Sequence, residues 1–209
     1  MMVSHSARVL FVHVQKTGGI TIDRMLQEAL PDFEFLPGLG GGRHARLGPA
    51  LRTYPELSDY FVFGFVRNPW ARLYSWWAMI KRAEADAAAG VEKAANQMDH
   101  NRLWKRVLAT CPDFEAFVLR GTQEQRELRR TQVSYLRTKQ READFIGRQE
   151  RFDADLHEVF DRLELAWPGT TMHANTGPSS DYRVQYTDEM RDRVAEVFAA
   201  DLERFGYEF

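Results

Sequence analysis

The sequence predicts a single three-layer α/β domain spanning residues 1–209, with a central parallel sheet and a P-loop-like, phosphate-binding strand-turn-helix at its start. Three observations carry this. The run Arg8 to Val14 (R-V-L-F-V-H-V) has the β-branched and aromatic composition of a buried parallel strand. It ends at Gln15-Lys16-Thr17-Gly18-Gly19, and a helical pattern follows from Ile20 to Leu30, where Pro31 stops it. A second buried run, Tyr60 to Val66 (Y-F-V-F-G-F-V), breaks at Arg67-Asn68-Pro69 and leads into a helix toward Lys81, with proline in its first turn. Strand, glycine turn, helix is the opening of a nucleotide-binding α/β domain.

The remaining elements follow in order. Met1 to Ala7 reads as a short polar lead-in. Pro37 to Gly42 (P-G-L-G-G-G) is a glycine-rich loop, and Ala45 to Tyr54 reads as a short helix. Ala83 to Ala95 is rich in alanine and charge, either a helix extension or a mobile surface excursion with a solvated face. Asp113 to Arg120 and Gln123 to Arg130 look helical, Asp144 to Gly147 reads as a short strand, and Phe152 to Leu163 as an amphipathic helix. After the loop-rich stretch Gly169 to Tyr186, Thr187 caps a last helix through about Phe198. No internal repeat or linker divides the chain.

Composition bounds the function. With 209 residues and 44% hydrophobic content the chain can bury a sizeable core. A net charge of −2 argues against general nucleic-acid binding. The one cysteine, Cys111, allows no intramolecular disulfide and fits a reducing cytosol. No Cys/His grouping has zinc spacing. The apolar run Val9 to Val14 is too short for a signal segment or a membrane span, so a cytoplasmic location is expected. Nothing in the sequence speaks to oligomeric state.

Two motifs carry chemistry. In Lys16-Thr17-Gly18-Gly19-Ile20-Thr21 the glycines permit a tight turn and close approach of a ligand. The N–H groups at the following helix start point at an anion, and the helix dipole favours negative charge there. Lys16 adds a point charge, and Thr17 and Thr21 add hydroxyls. The plain alternative is a strand-helix turn with a surface lysine. An ATPase P-loop places its lysine after the glycines, whereas here Lys16 precedes them. In the second motif, Phe65 to Ser75, Arg67 ends a strand where open α/β sheets bind ligands, and Ser75 follows eight residues later, about two helical turns on. The arginine fork suits phosphate. The alternative is a helix-capping arginine with a buried serine.

Together these motifs resemble the carbohydrate-type sulfotransferase family. F-V-H-V-Q-K-T-G-G (Phe11 to Gly19) is similar to that family's 5′-phosphosulfate loop, and F-V-R-N-P-W-A-R-L-Y-S (Phe65 to Ser75) to its 3′-phosphate motif, with the same arginine-to-serine spacing. Asp144 to Glu150 (D-F-I-G-R-Q-E), Asn175-Thr176, Tyr186 to Glu189 and Asp201 to Tyr207 resemble further blocks in the same order, so the likeness spans nearly the whole chain. Two departures stand out: Gln15 replaces a usual proline, and Ile20 a usual threonine or serine, which leaves backbone donors and Thr21 to serve the phosphate.

The resemblance implies a metal-free sulfotransferase using 3′-phosphoadenosine 5′-phosphosulfate (PAPS) as donor and a carbohydrate or other small-molecule hydroxyl as acceptor. It implies that Lys16, Thr17, Gly18, Gly19, Ile20 and Thr21 hold the 5′-phosphosulfate, and that Arg67 and Ser75 hold the 3′-phosphate. A loop from Asn175 to Arg183, with Thr176, Gly177, Ser179, Ser180 and Arg183 as donors, would either close over the nucleotide or form a plain surface connection. Lys16 would stabilise charge on the leaving oxygen. Arg43-His44-Ala45 resembles the family's K-H-A-T segment, which makes His44 the expected general base, with a pKa near its reference value of about 6.5. His13, read as a core or supporting residue, Glu34 and Asp59 compete for that role. His5, His100, His157 and His173 read as surface residues. Trp70, Trp76 and Trp77 would wall an acceptor pocket or stack on adenine, with at least one in the core. The arginines from Arg126 to Arg141 hint at an anionic or polyhydroxyl acceptor. Two other readings stay open: an atypical P-loop small-molecule kinase, which needs magnesium and a carboxylate where Arg67-Asn68-Pro69 stands, and a non-catalytic nucleotide-binding module.

Overall fold

The computed structural model describes residues 1–169 and 181–209. The strands are β1 (Met2–Ser4), β2 (Val9–Val12), β3 (Glu34–Phe35), β4 (Phe61–Val66) and β5 (Phe145–Arg148). The principal helices are α1 (Gly19–Ala29), α2 (Leu47–Thr53), α3 (Pro69–Ala88), α4 (Glu92–His100), α5 (Arg102–Thr110), α6 (Phe152–Arg162), α7 (Asp188–Val197) and α8 (Ala199–Phe205). The chain is a mixed α/β protein with one five-stranded sheet of order β3-β1-β2-β4-β5. Its described residues gather into two compact units, one of residues 1–67 and 132–169 and the other of residues 68–131 and 181–209. The chain passes from the first unit to the second within Arg67-Asn68-Pro69, where composition carries no linker signal.

The first unit holds the whole sheet. β2, β4 and β5 are parallel, with Val9 opposite Phe61 and Phe63 opposite Phe145. The sheet is not parallel throughout, as the sequence suggested: β1 runs antiparallel to both β2 and β3. Nor is the lead-in a polar tail, because Met1, Met2 and Val3 are all buried. Three apolar residues are too few to show a period, so the strand was illegible. Asp32 fastens this hairpin, accepting from Ser4 Oγ at 2.6 Å and from Ser6 N at 2.8 Å.

α1 and α6 cover one face of the sheet. Ile22, Met25 and Leu26 from α1 and Leu156, Val159 and Phe160 from α6 share a core with Phe11, Phe63 and Phe65. Phe11 and Phe63 stack at 4.9 Å across the parallel pair. Side chains alternate along a strand, so Gly64 faces the other side, where a Cβ would run into Leu136. Leu136 belongs to a helical turn, Val133–Leu136, that packs beside α2. Asp144, the first residue of the D-F-I-G-R stretch, fixes the entry of β5. Its carboxylate accepts from Val62 N at 2.7 Å and its own N–H donates to Val62 O at 2.7 Å.

The second unit is helical. Asn68 caps α3, its Oδ1 accepting from Trp70 N at 3.1 Å, while Pro69 takes the first helical position. Trp70, Leu73, Trp76 and Ile80 of α3 join Trp104, Phe117, Met190, Val194 and Phe198 in its core. Trp70 and Trp76 are thus core residues, whereas Trp77 is half-buried against Phe114 and Phe117. The alanine-rich run is a helix extension as far as Ala88, and α4 begins after Gly90. Gln123 to Arg130 is not the predicted helix. Helix ends at Glu124, because Leu128 drops into the core and the Arg130 carbonyl turns to the fully buried guanidinium of Arg72, 3.3 Å away. Thr187 caps α7 as expected, accepting from Met190 N at 3.3 Å.

Candidate functional site

The site grows from the end of β2. The chain turns tightly after Val14, whose carbonyl accepts from Thr17 Oγ1 at 2.9 Å. Thr17 is fully buried, so its hydroxyl proton is committed to that turn. Lys16 sits in the left-handed region at φ 70°, and Gly18 follows at φ 86° as the N-cap of α1. Left-handed backbone is ordinary for glycine and strained for lysine.

The two glycines are demanded by the protein itself. A Cβ on Gly18 would strike Phe152, and one on Gly19 would land within the His13 imidazole. Gly19→Ala should therefore destabilise the fold by about 1–3 kcal/mol or more, the usual cost of overpacking. Denaturant unfolding would show it, and the same substitution in a His13→Ala background should cost less. Equal costs in both backgrounds would remove the imidazole as the cause.

The first turn of α1 has no side-chain cap and no acidic residue. Its leading N–H groups and dipole thus favour an anion, and Lys16 stands two residues before the cap. This donor set suits a phosphate- or sulfate-type anion. Thr21 is buried in the first turn, its N–H donating to Gly18 O at 3.0 Å, and Ile20 is half-buried.

Parallel pairing of β2 with β4 brings Arg67 beside the first motif. Arg67 follows β4, and its Nη1 donates to Lys16 O at 3.4 Å. Gln132 holds its main chain from both sides. The Arg67 N–H donates to Gln132 Oε1 at 2.9 Å, and Gln132 Nε2 donates to Arg67 O at 2.7 Å. Gln132 is fully buried and had no motif to announce it.

His44 closes a short 3₁₀ turn, Gly42–His44. Its Nδ1 lies 3.0 Å from the His13 carbonyl, and its ring meets the His13 ring edge-on at 4.7 Å. A nitrogen facing a carbonyl must carry the proton, which leaves Nε2 with the lone pair. Burial, followed by the neighbouring His13, holds the His44 pKa far below its usual value, at about 3. The expectation of a pKa near 6.5 is thereby corrected. At neutral pH the ring is an uncharged acceptor, and it titrates only in strong acid.

His13 is buried, as expected, and burial also lowers its pKa, against the pull of Asp23. Asp23 itself was missed. Its carboxylate lies 3.3 Å from His13 Nδ1 and 3.0 Å from Arg43 Nη1. Neither carboxylate oxygen is aligned for a hydrogen bond; the Arg43 contact is an ion pair, whereas the His13 contact is ionic only when that ring is protonated. The available signal was its spacing: four residues after Gly19, Asp23 shares one helix face with it. Glu34 and Asp59, the rival bases, are exposed.

Ser75 and Arg183 belong to the second unit. Ser75 is half-buried on α3. Arg183 is exposed, 3.5 Å from Asp181 Oδ1 and 4.7 Å over the Tyr182 ring. Asn175, Thr176, Gly177, Ser179, Ser180 and His173 lie outside the described residues. Among the described residues no group of three or more His, Cys, Asp or Glu side chains is gathered as for a metal ion, and no helix is long and apolar enough to cross a membrane.

A sequence profile of the sulfotransferase family matches residues 1–208. Neither a curated protein nor a solved structure matches the chain.

Proposed function

Because the chain belongs to the sulfotransferase family, we propose that it moves a sulfonate group from PAPS to a hydroxyl of a carbohydrate or other small-molecule acceptor. The observation that carries this reading is the meeting of two phosphate motifs: the uncapped start of α1 with Lys16, and Arg67 with its Nη1 at 3.4 Å from Lys16 O. One anion-binding turn would serve a kinase equally well, but a second cation beside it suits a nucleotide with phosphate at both ends.

The donor supplies an activated sulfonate whose leaving group is a phosphate oxygen. The acceptor oxygen bonds to sulfur as that bridging bond breaks, in line. In this reading the backbone N–H groups of Gly18, Gly19 and Ile20 hold the 5′ end. Lys16 stabilises the negative charge that grows on the leaving oxygen. His44 Nε2 takes the acceptor proton. With a pKa of about 3, His44 accepts that proton late, when bonding to sulfur has already acidified the hydroxyl. Arg67 binds the 3′-phosphate. Thr17 takes part through its backbone rather than its hydroxyl. Thr21, Ser75 and Arg183 are assigned from the motifs alone, Ser75 to the 3′-phosphate and Arg183 to the covering loop.

The reading is tested by incubating the protein with sulfur-labelled PAPS and a mixed panel of hydroxyl acceptors. Label transferred to an acceptor supports it; label transferred only in a parallel incubation with ATP labelled in its γ-phosphate would identify a kinase. Arg67→Ala should weaken binding of adenosine 3′,5′-bisphosphate by about 1.5–3 kcal/mol, the contribution of a charge-assisted pair. Calorimetric titration checks this, and unchanged affinity would remove Arg67 from the 3′-phosphate.

A further inference from the structure

We propose that Asp23 is a positioning residue for His44, acting through Arg43 and His13 to latch the glycine-rich loop onto the helix that begins at the phosphate turn. The inference rests on the reading of His44 as the base, and extends it to the group that holds His44 in place.

Asp23 lies on α1 with its side chain 4% exposed. A carboxylate buried that deeply is costly unless cationic or polar partners face it. Two side chains touch it, neither of them on α1, and the Met1 amine also feels its charge. Arg43 Nη1, 3.0 Å away, precedes His44 on the same 3₁₀ turn. His13 Nδ1, 3.3 Å away, follows β2. His13 is also the residue whose main-chain carbonyl meets His44 Nδ1 at 3.0 Å. Both routes therefore end at His44. Arg43 holds its backbone, and His13, wedged between Asp23 and Gly19, presents the carbonyl that fixes its tautomer. Pro37 to Gly42 contains four glycines and supplies little rigidity of its own. Without the latch, the loop loses its one ionic tie to α1 among the described contacts. The Met1 amine, which donates to Gly42 O and Arg43 O, still holds the main chain of the turn, so the His44 ring is loosened rather than released.

The ion pair between Arg43 and Asp23 gives the test its form, because charge matters more than hydrogen-bond geometry there. Arg43 is 44% exposed, so Arg43→Ala should fold. Arg43→Lys keeps the charge, and Asp23→Asn removes the anion while keeping the shape. The first readout needs no substrate: imidazole nitrogen chemical shifts of His44 in the ligand-free protein, assigned by comparison with His44→Ala. The wild type should show the Nδ1–H tautomer. Arg43→Ala and Asp23→Asn should shift toward a mixture of tautomers, and Arg43→Lys should return toward wild type. The second readout is turnover. Arg43→Ala should lose roughly 10- to 100-fold in kcat, the cost of misplacing a reacting group by about 1 Å. The affinity for adenosine 3′,5′-bisphosphate should stay within about twofold, well below the tenfold that 1.4 kcal/mol represents. Wild-type His44 shifts in both Arg43→Ala and Asp23→Asn would overturn the latch. If the shifts move while His44→Ala keeps full turnover, the latch stands and the assignment of His44 as base fails.

Discussion

Lys16→Ala should lower kcat by roughly 10²- to 10³-fold, the loss measured when one donor to a developing oxyanion is removed. The affinity for PAPS, measured without acceptor, should change far less, because the charge that Lys16 meets is absent from the bridging oxygen of the intact donor and grows only as its bond to sulfur breaks. The backbone adds a control. Lys16 is left-handed at φ 70°, a conformation that strains alanine but not glycine. Lys16→Gly should therefore lose as much turnover as Lys16→Ala while melting at a higher temperature. Single-turnover kinetics and thermal unfolding check the two halves separately. A rise in KM with kcat unchanged would make Lys16 a binding residue only.

His44→Ala should lower kcat by about 100-fold or more, within the range of general-base catalysis. The pH dependence is equally specific. Burial disfavours the charged imidazole and pushes the pKa of His44 down to about 3. The active neutral form therefore persists as pH falls, and turnover through this group is lost only near pH 3. The account predicts kcat/KM free of a histidine limb between about pH 5 and 8, where an unperturbed histidine of pKa about 6.5 would impose one. Stability has its own sign. His44 binds its proton more readily when unfolded, so its contribution to the fold is complete above about pH 6.5 and declines as pH drops toward 3. His13, lowered in the same direction, adds to that decline. Activity in acid must therefore be measured alongside a folding signal. A wild-type limb near pH 6.5 that vanishes in His44→Ala would keep His44 as base and reject the effect of burial. Unchanged kcat in His44→Ala would reject the base, with His13 next to test.

The parts of this architecture that were legible in the sequence are those whose cause is local. Val9 to Val12 and Phe61 to Val66 are β-branched and aromatic runs, and both are central strands of the parallel core. Asn68-Pro69 announces α3 because a side-chain acceptor and a fixed φ act within one turn. Lys16, Gly18 and Gly19 were legible as a turn, although the glycines make room for Phe152 and His13 as well as for a ligand. What was hidden depends on distant partners. β1 is a strand because β2 and β3 flank it, not because three residues demand it. Asp23 gains its role from Arg43, twenty positions away, and Gln132 from Arg67, 65 positions away. The pKa of His44 is set by enclosure, which no spacing rule describes.

The central claim, that paired phosphate motifs select a nucleotide with phosphate at both ends, is tested most directly by nucleotide binding, since this needs no acceptor. Thermal unfolding and calorimetric titration would be run with adenosine 3′,5′-bisphosphate and with ATP at matched concentrations. At 100 times its Kd the bisphosphate should stabilise the fold by about 2.7 kcal/mol, and ATP by much less. That difference corresponds to several degrees in Tm for a chain of this size. Arg67→Ala should remove most of the preference. Equal stabilisation by the two nucleotides, or a preference for ATP, would contradict the account.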